Sequence, residues 1–118
     1  MSKRILIVDD SSMMRKMLAK VLVGKGNHTI VGEAKNGNEA LEMYKKLKPD
    51  LITMDITMEG MDGLSAARQI LAYDRKALIL MLSNLDKEKY SDDIAKINVI
   101  GFVNKHKAQD ILDLINAH

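Results

Sequence analysis

At 118 residues the chain falls in the size range of one domain, expected to span 1–118, and is long enough to enclose a hydrophobic core. Hydrophobic residues make up 47%, and 18 Lys plus Arg against 16 Asp plus Glu leave a net charge of +2, which argues against disorder and against the basic patch of a nucleic-acid binder. The absence of cysteine excludes disulfides and thiolate metal sites, and no apolar run is long enough to span a bilayer.

In chain order, Met1-Ser2-Lys3-Arg4 leads into a strand rather than a signal peptide, which makes the cytoplasm the default location. Ile5-Leu6-Ile7-Val8 reads as a buried strand, and Met14, Met17, Leu18, Val21 and Leu22 as the apolar stripe of a helix ended by Gly24 and Gly26. Thr29-Ile30-Val31 reads as a second strand. Asn36, three residues ahead of Glu39, predicts a capped helix presenting Ala40, Met43, Tyr44 and Leu47. Pro49 marks the stop before a third strand, Leu51-Ile52-Thr53-Met54.

A loop with Gly60 and Gly63 then precedes a helix with stripe Leu64, Ala67, Ile70 and Leu71. Leu78 to Leu82 is the most apolar run and predicts a central strand. The charged stretch after it carries Tyr90, Ile94 and Ile97 as its apolar stripe, while Lys87, Glu88, Lys89, Asp92, Asp93 and Lys96 read as a solvated face. Val99 to Val103 is a fifth strand, and Ala108, Ile111, Leu112 and Ile115 stripe the last helix. The nine methionines read mostly as core filler, and His28, His106 and His118, without ligand spacing, as surface residues. Five strands alternating with five helices imply an α/β fold, a doubly wound parallel sheet covered on both faces. By analogy with a common doubly wound arrangement, the strand order is expected to be 2-1-3-4-5.

In such a sheet, ligands bind beyond the carboxyl ends of the strands. Asp9 and Asp10 follow the first strand, Asp55 the third and Ser83 the fourth, and Lys105 lies two residues after the fifth. Singly, each has a plain explanation: Asp10, Ser11, Ser83 or Asn84 as a helix cap, Asp55 as a solvated loop acid, Lys105 as a surface lysine. Together they do not, because chemically matched groups at four strand ends are improbable by chance. Three carboxylates in one crevice repel one another and require a cation. Oxygen ligands without His or Cys point to a hard ion, and Mg²⁺ suits few carboxylates, retained waters and a phosphate oxygen. An ionised Asp is also a nucleophile competent to form an acyl phosphate, with Lys105 and the Ser83 hydroxyl available to phosphoryl oxygens.

Val8-Asp9-Asp10-Ser11-Ser12, Asp55-Ile56-Thr57-Met58 with Met61-Asp62-Gly63, Ser83, and Phe102 with Lys105 together resemble the receiver domain of bacterial response regulators. The resemblance runs from Lys3 to the last helix. Ser11-Ser12-Met13-Met14-Arg15 and Asp55-Ile56-Thr57-Met58 look most like the chemotaxis (CheY-like) branch of the family. It implies a flavodoxin-like (βα)5 fold and a switch protein rather than an enzyme, one that assists its own phosphoryl transfer and dephosphorylation. Asp55 would accept a phosphoryl group from a histidine kinase. Mg²⁺ would be held by Asp10 directly, Asp9 through water, Asp55, and the Thr57 carbonyl. Ser83, the amide of Asn84, and Lys105 would hold the phosphoryl oxygens. Ser83 and Phe102 would form the switch, altering the fourth helix, fifth strand and fifth helix, where a target protein docks; the alternative for Phe102 is ordinary packing on an edge strand. A monomer without nucleic-acid or membrane partners is expected.

The chain departs from the family pattern at three places. Glu59 stands where proline is usual, Asn84 where a small residue is usual, and His106 where proline follows the lysine. A non-proline residue makes cis costly, about 2.5–4 kcal/mol, so a trans Lys105–His106 bond is expected. Thr57 and Leu85 stand where family residues border the attacking water, and Leu85 cannot orient one, which predicts a long-lived acyl phosphate. Two rivals are a pseudo-receiver acting as a phosphorylation-independent interaction module, and a flavin or dinucleotide enzyme of similar topology. The intact acids, Ser83 and Lys105 oppose the first; the absence of a glycine-rich phosphate loop after the first strand opposes the second.

Overall fold

Ile5 to Val8, four apolar residues in a row, form β1 (Arg4–Val8) and all are buried, as a strand covered on both faces requires. The computed structural model describes residues 2–58, 60, 62–84 and 91–118, with Ser91 by its backbone alone. Glu59, Met61, Leu85, Lys87, Glu88, Lys89 and Tyr90, which figured in the expectations above, lie outside the described residues. The other strands are β2 (Thr29–Ala34), β3 (Leu51–Asp55), β4 (Ile79–Ser83) and β5 (Gly101–Asn104). They form one parallel sheet in the order β2-β1-β3-β4-β5, the flavodoxin-like arrangement expected.

Alternation along the strands divides the core in two. Leu6, Val8, Ile52, Met54, Ile79 and Met81 face one side, where α2 (Gly37–Leu47) and α3 (Gly63–Tyr73) bring Ala40, Tyr44, Leu64, Ala67 and Ile70. Ile94 of α4 (Ser91–Ala95), Ile97 and Phe102 pack on the same side. Ile5, Ile7, Leu51, Leu80 and Leu82 face the other, covered by Leu18 and Leu22 of α1 (Ser12–Gly24) and Ile111, Leu112 and Ile115 of α5 (Ala108–Asn116). Among the described residues no helix is long and apolar enough to cross a membrane.

The helix ends follow their local chemistry. Asn36 caps α2 by accepting from the Glu39 N–H at 2.9 Å, while the Glu39 carboxylate accepts from the Lys35 N–H at 3.1 Å. Lys48 then turns the chain with φ 49°, in the left-handed region, ahead of Pro49. Ser11, not Asp10, caps α1, its hydroxyl accepting from the Met14 N–H at 3.3 Å.

Three expectations need correction. His28 is buried: its Nδ1 accepts from the Lys3 N–H at 3.1 Å and its Nε2 faces Asn116 Oδ1 at 2.9 Å, so Nε2 carries the proton. Met17, assigned to the buried stripe of α1, is 55% exposed, because the sheet and α5 cover only the Leu18–Leu22 side of that helix. With Met13 at 71% exposed, the methionines divide: Met54, Met58 and Met81 fill the core, and those of the first turns of α1 do not.

Candidate functional site

The strand order reverses between β1 and β3, and the residues at their carboxyl ends bound one crevice. Asp9 follows β1, its N–H extending the sheet to the Ala34 carbonyl at 3.0 Å. Its Oδ1 accepts from the Ser11 N–H at 2.8 Å, which fixes the carboxylate at the entrance to α1. Asp10, beside it, is exposed. Asp55 is the last residue of β3 and is buried; its Oδ1 accepts from the Thr57 N–H at 3.2 Å. Carboxylate oxygens of Asp9, Asp10 and Asp55 lie within 4.8 Å of one another.

Lys105 reaches this cluster from the end of β5. Its backbone N–H donates to the Ser83 carbonyl at 2.9 Å, continuing the β4–β5 pairing one residue past the strand. Its Nζ stands 3.2 Å from Asp9 Oδ2 and 3.4 Å from Asp55 Oδ2, all three side chains being almost fully buried. Ser83, at the end of β4, is buried against the same crevice edge, and Asn84 after it is exposed. Phe102, half-buried, packs against the core on the α2–α3 side of the sheet.

The electrostatics follow from burial and crowding. Burial, first, and the neighbouring Asp9 charge push the Asp55 carboxyl up to about 6, against the opposing pull of Lys105 and the Thr57 N–H. Burial alone would lower the Lys105 ammonium, but Asp55 and Asp9 more than offset it and hold it above its ordinary value. Three carboxylates against one ammonium leave an excess of two negative charges. All the candidate ligands are oxygen, and one side of the cluster is exposed at Asp10. That donor set, charge and access fit a hard divalent cation such as Mg²⁺.

Sequence reasoning thus located Asp9, Asp10, Asp55 and Lys105 together, with Ser83 and Thr57 beside them. It quoted Arg15 within a family motif but missed its role: the guanidinium donates to the Asp9 carbonyl and pairs with Glu33 at 3.0 Å, tying α1 and β2 to the acidic loop. The motif gives no sign of these partners, which only the fold brings to it. The role of Gly63 was legible only as part of a motif. A Cβ there would collide with the Asp55 carbonyl oxygen, so only glycine lets the first turn of α3 pack against the Asp55 backbone. The Lys105–His106 bond is trans, like every peptide bond among the described residues.

A doubly wound parallel sheet in the order 2-1-3-4-5 with an acid-rich crevice at its switch point defines a flavodoxin-like α/β protein. The model of the response regulator receiver domain family matches residues 5–116, and the chain belongs to that family. It is similar to the chemotaxis protein CheY of Bacillus subtilis, with 42% identity over 98% of this chain and 97% of that one. It is 43% identical to the CheY of Thermotoga maritima over 89% of this chain and 87% of that one. Among solved structures, a CheX–CheY–BeF3–Mg²⁺ complex from Borrelia burgdorferi superposes with a TM-score of 0.89 at 32% identity, covering 97% of this chain and 87% of that chain.

Proposed function

We propose that this chain is the phosphoacceptor of a two-component relay, taking a phosphoryl group on Asp55 from a phosphohistidine of a histidine kinase. The observation that carries the reading is the convergence of Asp9, Asp10 and Asp55 with the Lys105 ammonium at 3.2 and 3.4 Å from two of them. An ionised Asp55 oxygen attacks phosphorus, and the new O–P bond forms as the P–N bond breaks. The bonding pair stays on the ring nitrogen, and the ring, protonated at its other nitrogen, leaves as neutral imidazole. Asp9, Asp10, Asp55 and the Thr57 carbonyl are the residues that would hold Mg²⁺, which when bound neutralises charge on the transferring phosphoryl group. Phosphorylation removes the Asp55 carboxylate charge, so Lys105 exchanges that ion pair for one with a phosphoryl oxygen. On this reading the Ser83 hydroxyl and the Asn84 N–H donate to the others.

On this reading the protein is a switch and not an enzyme with a separate substrate. Phosphorylation draws on Ser83, and the response passes through Phe102 to the surface of α4, β5 and α5, where a target protein binds. The names of the CheY relatives support chemotaxis as the process, and the reading takes a cytoplasmic monomer as the working form. Incubating the protein with Mg²⁺ and acetyl phosphate should add one phosphoryl group by mass, and Asp55→Asn should add none. Unchanged incorporation in Asp55→Asn would overturn the assignment. No incorporation by the unsubstituted protein would instead favour the phosphorylation-independent interaction module.

A further inference from the structure

Two of the positions at which this chain departs from its family meet in space. The His106 ring nitrogen Nε2 stands 2.9 Å from Asn84 Oδ1, joining the loop after β5 to the end of β4. An amide oxygen only accepts, so Nε2 carries the proton and donates. The loop is also fixed internally: the His106 N–H donates to Asn104 Oδ1 at 2.9 Å and the Lys107 N–H to the Asn104 carbonyl at 3.0 Å. These internal bonds shape the turn, and the Lys105 N–H to the Ser83 carbonyl at 2.9 Å joins its start to the end of β4 through the backbone. The bond to Asn84 ties it across the sheet, one residue from Lys105 on one side and one from Ser83 on the other.

Lys105 needs such a tie. Its side chain lines a small cavity of about 90 Å³ with Met14, Met17, Leu18, Val21, His106 and Ala108. That space is lined by α1 residues and by Ala108 at the start of α5, so the lysine stem is not packed tightly on that side. His106 is both a wall of the cavity and the anchor of the loop. We propose that Asn84 and His106 form a clasp over the acidic crevice that positions Lys105 for phosphoryl transfer. Both act through Lys105 and are positioning residues. The proposal rests on Asp55 being the phosphoacceptor, and its test has one arm that does not depend on that.

The first arm is amine labelling of the whole protein with acetic anhydride, read peptide by peptide, with exposed Lys107 as internal reference. Asn84→Ala and His106→Ala should each raise Lys105 labelling relative to Lys107 about threefold or more, without raising labelling elsewhere. The second arm is the rate of phosphorylation by acetyl phosphate in saturating Mg²⁺. Each variant should lose roughly three- to tenfold, and the double variant no more than either single one, because all three break the same contact. Unchanged Lys105 labelling, or losses that multiply in the double variant, would overturn the clasp. If the unsubstituted protein takes up no phosphoryl group, the phosphoacceptor reading fails, and the labelling arm alone decides whether the clasp fixes Lys105.

Discussion

The two ends of the sheet are built on opposite plans. At the amino end, each of these polar groups has its own partners: His28 lies between the Lys3 N–H and Asn116, and the Arg4 N–H meets Asp50 at 2.8 Å. There the Arg4 guanidinium donates to the Leu47 and Lys48 carbonyls at the end of α2, and Lys3 Nζ to the Ile115 carbonyl at 2.9 Å. At the carboxyl end, three carboxylates crowd together, two of them share one lysine, and one acid is pushed up to about 6. The same sheet supports both. The amino end contributes stability, whereas the carboxyl end holds uncompensated charge that a cation and a phosphoryl group can relieve.

The largest effect that can break this contrast is on metal binding. Asp10→Ala should weaken Mg²⁺ affinity about tenfold or more, followed by calorimetric titration, because it removes one of few oxygen ligands. Equal affinity in both proteins would mean that the carboxylates do not form a common site.

The next tests compare the ends by stability. His28→Ala should cost about 2–3 kcal/mol in urea melts, since it strands the Lys3 N–H and Asn116 and leaves a void. It should leave the phosphorylation rate unchanged. At the other end, Asp55→Asn should stabilise the metal-free protein at pH 7.5 by about 1–2 kcal/mol, allowing for partial screening. The sign follows from the folded pKa of about 6 against an ordinary 3.8. The folded state holds the proton more tightly, so the Asp55 contribution is complete below about pH 4 and is lost as pH rises through 6. The gain of Asp55→Asn should therefore shrink as melts in EDTA are taken from pH 7.5 down to pH 4, and also when Mg²⁺ is added at pH 7.5. A gain independent of pH would assign the effect to packing.

The smallest effect sharpens the contrast inside the core. The Thr53 hydroxyl, two residues before Asp55 on the same strand, is fully buried with no hydrogen-bond partner among the described residues. Thr53→Val should stabilise the protein by about 1 kcal/mol in urea melts, because it removes an unsatisfied polar atom at nearly constant shape.

Much of this was legible beforehand, for definite reasons. An apolar run broken by Asp, Ser or Lys marks a strand end, and in a parallel sheet strand ends converge. The elements that escaped have no such signal. β2 runs on through Gly32, Glu33 and Ala34, residues poor in strand preference, because β1 supplies hydrogen-bonding partners as far as Val8↔Ala34. His28 sits alone in a turn, and only the fold brings Asn116 to it from the last helix. The apolar face of α1 is wider than the surface that covers it, so periodicity overstated its buried stripe. The bond between Asn84 and His106 joins positions 22 apart that pattern alone does not pair.

The central claim is that the charge excess at the carboxyl end serves phosphoryl transfer to one acid. Borohydride reduces an acyl phosphate to the alcohol, converting a phosphorylated aspartate to homoserine. After treatment with Mg²⁺ and acetyl phosphate, reduction and peptide mass mapping should place homoserine at position 55 and nowhere else. Homoserine at Asp9 or Asp10, or at no position in protein that has taken up phosphate, would contradict the account.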